Sequence, residues 1–81
     1  MHVTILLFAR LHDLAGVEKL VRDIPQNATV KTVWQQLVTE HPAIAEYETS
    51  VSVAVNANYS RMHAEVNDGD EVAFLPPVSG G

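Results

Sequence analysis

The sequence predicts an α+β domain in which one main helix lies across one face of a mixed sheet of four to five strands. Three observations carry this reading. Residues 3–8, 51–55 and 71–75 are β-prone, and the last two segments alternate polar and apolar side chains. A single segment, Val30 to Glu40, repeats apolar residues at the three-and-four spacing of an amphipathic helix. The chain has 81 residues and no cysteine, so it must bury its core in two packed layers without disulfide support. The expected organisation is a single domain over residues 1–81. A globular core occupies 1–75, and a flexible, extended C-terminal segment occupies 76–81.

Val3 to Phe8 forms the first strand, with Val3, Ile5 and Leu7 toward the core and Thr4, Leu6 and Phe8 on the opposite face. Arg10 to Ala15 suits a short helical turn that Gly16 ends. Glu18 to Ile24 reads as a second strand, closed by Pro25 and close enough in sequence to pair antiparallel with the first. Thr29 then caps the main helix. Val30, Val33, Trp34, Leu37 and Val38 make its apolar stripe, and Lys31, Gln35, Gln36 and Glu40 its wet side. His41-Pro42 ends it, because the residue before a proline avoids helical geometry. Trp34 is read as a core anchor.

Ala43 to Ser50 reads as irregular and acidic, and Val51 to Val55 as a strand, followed by the turn-prone Asn56-Ala57-Asn58. Tyr59 to Val66 reads as one short strand at most. Asn67-Asp68-Gly69-Asp70 is a turn that feeds the last strand, Glu71 to Leu75. Pro76 and Pro77 stop the sheet, since proline has no N–H to donate. They begin a stiff spacer that ends in Gly80 and Gly81, residues without side chains. Such an arm suits delivery of a C-terminal carboxylate into a narrow channel of another protein. The plain alternative is a frayed end.

If the first and last strands are neighbours, Leu6, Phe8, Ala54, Ala73 and Leu75 form a contiguous apolar patch on the face away from the helix. Patches of that kind mark partner surfaces. With Pro76, Pro77 and Val78 they make the expected partner interface, at the root of the tail. A one-residue slip in register would turn the patch into core instead.

Composition bounds the function. A hydrophobic fraction of 47% with 4 Gly and 4 Pro is globular, and the net charge of −5 repels nucleic acid and anionic membranes while suiting a basic protein partner. The apolar run Val3 to Ala9 is too short to span a bilayer and lacks a basic leader, so a cytoplasmic protein is expected. His2, His12, His41 and His63 make no metal-ligand spacing. Glycine-rich phosphate loops and serine–histidine–carboxylate arrangements are absent from the sequence. Asp68, Asp70 and Glu71 suit a solvated turn better than paired catalytic acids. The domain shows no active site of its own, and its one chemically distinctive group is the Gly81 carboxylate.

The order β-β-α-β-(β)-β, with a strand running into Gly80-Gly81, resembles the ubiquitin-like β-grasp family that includes the prokaryotic sulfur carriers. The stretch from Asp68 through Phe74-Leu75-Pro76-Pro77-Val78-Ser79 to Gly81 is closely similar to the end of molybdopterin synthase small subunits. Leu7-Phe8-Ala9, Leu14-Ala15-Gly16 and Val55-Asn56 agree with that family, and Leu75 stands where many members carry an aromatic. The likeness covers nearly the whole chain, loosely at 59–66.

The resemblance implies a carrier that binds no cofactor tightly. A ubiquitin-activating-like adenylyltransferase uses ATP to adenylate Gly81, and a sulfur donor protein supplies the atom that makes a thiocarboxylate. The tail then enters the large synthase subunit, in a heterotetramer of two small and two large subunits. There its sulfur passes to cyclic pyranopterin monophosphate to build the molybdopterin dithiolene. Slender Gly80 leaves room for that approach. Three alternatives stay open: a carrier for thiamine or transfer-RNA thiolation, a ubiquitin-like protein modifier, and a β-grasp interaction module without tail chemistry.

Overall fold

A computed structural model describes residues 1–77. Five strands form one mixed sheet: β1 (His2–Leu7), β2 (Lys19–Asp23), β3 (Ser52–Val55), β4 (Asn58–Ser60) and β5 (Glu71–Leu75), in the order β2-β1-β5-β3-β4. β1 pairs antiparallel with β2 and parallel with β5; β3 pairs antiparallel with both β5 and β4. A short helix α1 (Ala9–Ala15) follows β1, and the main helix α2 (Val30–Glu40) lies between β2 and β3 in the chain.

The expected core faces are the observed ones. Val3, Ile5, Leu7, Val53, Val72 and Phe74 are buried on the sheet's inner side, against Val30, Val33, Trp34 and Leu37 of α2. Val38, at the edge of the helix stripe, is half-buried. Gly16 closes α1 in the left-handed region at φ 76°, a geometry that costs a residue with a Cβ but not glycine. Thr29 caps α2 from an extended conformation, and its backbone N–H donates to the Thr32 hydroxyl at 3.3 Å.

Several expectations need correction. β1 ends at Leu7 rather than Phe8: Phe8 keeps an extended backbone but is already the N-cap of α1, and the chain turns at Ala9, which takes φ 51°. β2 is one residue shorter at each end than read, and β3 begins at Ser52. The segment read as irregular after Pro42 is instead a 3₁₀ helix, Pro42–Tyr47. One apolar residue accounts for it, since Ile44 is fully buried and tethers the turn to the core. Residues 58–66 contain one short strand, β4, as expected, followed by a turn at 62–63 and a single bridge from Glu65 to Thr29. There Met62 O and Ala64 O accept the Lys31 and Val30 N–H groups at 2.8 and 2.9 Å. Those donors belong to the first turn of α2, which has no intrahelical acceptors for them. The segment thus finishes the helix N-terminus, with Val66 buried beneath it.

At the opposite end of α2, Arg22 on β2 grips Glu40 through two hydrogen bonds of 3.2 and 2.7 Å. These bonds hold the Glu40 carboxyl below its ordinary range. Among the described residues, no helix is long and apolar enough to cross a membrane.

Candidate functional site

The side of the sheet that α2 does not cover is apolar in its middle. Register places Leu6 beside Ala73, Ala73 beside Ala54, and Ala54 beside Tyr59, a row that crosses β1, β5, β3 and β4. Leu75 stands one step further along β5, paired with Ser52. Phe8 extends the same face past the end of β1, with its N–H donated to Phe74 O at 3.3 Å and its side chain 44% exposed. Leu6, Ala73, Leu75 and Pro76 are half-buried and Pro77 is exposed. Leu6, Phe8, Ala54, Ala57, Tyr59, Glu71, Ala73 and Leu75 line a shallow groove of about 300 Å³. A second groove of about 290 Å³ lies across Phe8, toward His12, Glu18 and Lys19.

The structure therefore brings together Leu6, Phe8, Ala73 and Leu75 on one surface, and β5 leads from that surface into Pro76 and Pro77. Val78, Gly80 and Gly81 of the expected site lie outside the described residues. Tyr59 was not foreseen, although it is 83% exposed and sits at the groove's wall. Its signal was the dipeptide Asn56-Ala57. A two-residue loop with φ 50° and 69° is the hairpin geometry for which asparagine is favoured, and it sets Tyr59 across from Ala54. Ala57 carries a left-handed strain of about 1–2 kcal/mol to make that turn.

Asn56 also locks the hairpin to β5. Its side-chain amide donates to Asp70 Oδ1 at 2.9 Å and accepts the Glu71 N–H at 3.0 Å, while its own N–H donates to Glu71 O at 2.8 Å. The acidic turn is thus structural. Asp70 also accepts the Asn67 N–H at 2.8 Å, and Asp68 accepts the His2 N–H at 2.7 Å. Asn56→Ala should lower stability by about 1–2 kcal/mol, through two lost side-chain bonds and a poorer left-handed residue. Chemical denaturation reads it directly, and an unchanged midpoint would remove Asn56 from this role.

Among the described residues, no group of three or more His, Cys, Asp or Glu side chains converges on a metal-sized site. The face offers apolar contact area along the central strand β5, from which the chain departs into Pro76 and Pro77.

A five-stranded mixed sheet clasping one main helix, with the first and last strands parallel at its centre, is the β-grasp arrangement of ubiquitin-like proteins. The sequence profile of the ThiS family matches residues 5–81, and the chain belongs to that family. It is 36% identical over 81 residues to the molybdopterin synthase sulfur carrier subunit of Arabidopsis thaliana, covering 100% of this chain and 84% of that one. The human protein of the same description is 30% identical, over 98% of this chain and 93% of its own. Among solved structures, small archaeal modifier protein 1 from Haloferax volcanii superposes with a TM-score of 0.89 at 30% identity, over 100% of both chains.

Proposed function

We infer that this chain is the sulfur carrier subunit of a molybdopterin synthase. The reading is carried by the apolar outer face at the root of the segment from Pro76 to Gly81, in a chain similar over its length to carriers of that description. A carboxylate is a poor electrophile, so its oxygen must first become a leaving group. An activating enzyme joins the Gly81 carboxylate to AMP, releasing pyrophosphate from ATP. A persulfide on a donor protein then attacks the acyl carbon and AMP leaves; a thiol reduces the acyl disulfide so formed, releasing the donor and leaving a thiocarboxylate. In the large subunit the thiocarboxylate sulfur bonds to a carbon of cyclic pyranopterin monophosphate, and water cleaves the resulting thioester so that the tail returns to a carboxylate. A dithiolene holds two sulfurs, so two carriers are consumed per product, which suits a heterotetramer with two small subunits. Leu6, Phe8, Ala73 and Leu75, with Pro76, Pro77 and Val78, are the surface for the large subunit.

The chemistry is tested by intact-mass spectrometry after incubation with activating enzyme, ATP and a sulfur donor. The expected result is the mass change of one oxygen-to-sulfur exchange, located on the C-terminal fragment. Absence of that change where an established carrier shows it would overturn the reading. The docking surface is tested separately. Phe8→Glu or Leu75→Glu should leave the fold intact yet weaken binding to the large subunit by about 2 kcal/mol or more, because a charge is desolvated against an apolar partner. Loss of folding without a specific binding defect would contradict the interface.

The likeness to small archaeal modifier protein 1 favours a second reading, a modifier attached through Gly81 to protein lysines. Thiol-resistant conjugates larger than the chain, formed with activating enzyme and ATP, would support it over the carrier.

A further inference from the structure

β2 is an edge of the sheet, and its outward side is built unusually. Glu18 O accepts the Leu7 N–H at 2.9 Å and Met1 O accepts the Ile24 N–H at 2.8 Å. Antiparallel alternation therefore turns the backbone groups of Leu20 and Arg22 toward β1, and those of Lys19, Val21 and Asp23 away from the sheet. Val21 is 56% exposed, an apolar side chain on a strand paired along one edge only. The strand reads Lys-Leu-Val-Arg-Asp, whose two end residues are charge-complementary to its own reverse.

We propose that β2 is a strand-pairing surface for a second copy of this chain, antiparallel about Val21, and that the Arg22–Glu40 clamp holds it closed. A two-fold axis perpendicular to the sheet sets Val21 against its counterpart. It also sets Lys19 against Asp23 of the second copy, twice by symmetry. Opposite charges and β-branched pairs facing one another across strands are favourable. Asp23 Oδ1 lies 2.8 Å from His2 Nδ1, and its second carboxylate oxygen remains for the lysine. The outer faces of the two copies stay on one side, so the grooves beside Phe8 are not covered.

An open edge invites pairing, and two side chains lie along this one. Arg22 Nη1 donates to Val21 O at 3.1 Å and Gln36 Nε2 to Asp23 O at 3.4 Å, two of the three outward carbonyls that pairing uses. Arg22 is fixed there by its paired bonds to Glu40, so the clamp sets access to the edge. This stands independently of the sulfur-carrier reading.

The test is sedimentation equilibrium of the purified chain over a wide concentration range. Glu40→Ala should dimerise with an association constant about tenfold above that of the wild type. In that background Val21→Pro should abolish the dimer, because proline removes an outward N–H and none from the β1 ladder. Lys19→Glu and Asp23→Lys should each weaken the dimer, and the two together should restore it. The proposal is overturned if Glu40→Ala associates no more tightly than wild type, if the dimer survives Val21→Pro, or if the double charge swap fails to restore it. The charge-swap arm decides the matter even where the proline variant does not fold.

Discussion

Trp34→Ala should lower the stability of this domain by about 3–5 kcal/mol, the range for deleting a large aromatic from a packed core. Trp34 is fully buried on α2, and its ring lies 5.1 Å from that of Phe74 at a tilt of 50°. That contact joins the helix to β5, the central strand, so the substitution opens a cavity between the two layers. A domain of this length holds about 4–12 kcal/mol in all, and the variant should be largely or wholly unfolded near body temperature. Trp34→Phe gives a sharper comparison. Among the described residues no group accepts the indole N–H, so phenylalanine removes a buried donor that has nothing to lose. Its cost should fall well below that of alanine. Urea or thermal denaturation followed by circular dichroism measures both. An alanine variant within about 1 kcal/mol of wild type would mean that Trp34 does not tie helix to sheet.

The parts of the fold legible in the sequence were those where one residue period repeats within a segment. The stripe from Val30 to Leu37 and the alternations in β3 and β5 each state which side chains face inward, and those faces are the ones observed. That β1 and β5 are neighbours was only a condition for the apolar patch, and the structure meets it by pairing Leu6 with Ala73. Ile44 was opaque because one buried residue inside a polar stretch makes no period. Met62 and Ala64 were opaque for another reason: they act through backbone carbonyls that complete α2, and side-chain pattern says nothing of carbonyls.

Phe8 shows how a correct face can survive a wrong boundary. The strand ends before it, yet the side chain still extends the outer face, since its N–H keeps the β5 partnership. The groove was half legible for a related reason. Its floor comes from regular strands, where alternation is informative. Its wall comes from Ala57 and Tyr59, placed by the left-handed loop Asn56-Ala57; the asparagines mark the turn, but not the side chain that it sets on the outer face. The edge of β2 was not anticipated at all, because Arg22 and Glu40 are distant in sequence and meet only once β2 lies alongside the end of α2.

Deleting Gly81 should leave stability unchanged and abolish sulfur carrying. Among the described residues the buried core ends at Phe74 and the chain is exposed at Pro77, so removal of a terminal residue is expected to cost no buried area. The shortened tail places its carboxylate about 3.5 Å back from the reacting centre. Attack requires reacting atoms about 3–3.5 Å apart, and a displacement of that size should cost far more than the roughly hundredfold that a 1 Å misplacement can cause. One added residue should fail as well, by overshoot. The decisive comparison uses wild type, the deletion and the extension with activating enzyme, ATP, a sulfur donor and the large subunit. Formation of molybdopterin from cyclic pyranopterin monophosphate is the readout, with denaturation curves alongside. All three chains should melt together while only wild type supports product. A deletion variant that still delivers sulfur would show that the terminal carboxylate of Gly81 is not the carrier group. A deletion that lowers the melting temperature would instead tie the last residue to the fold, and the separation of core from tail would be lost.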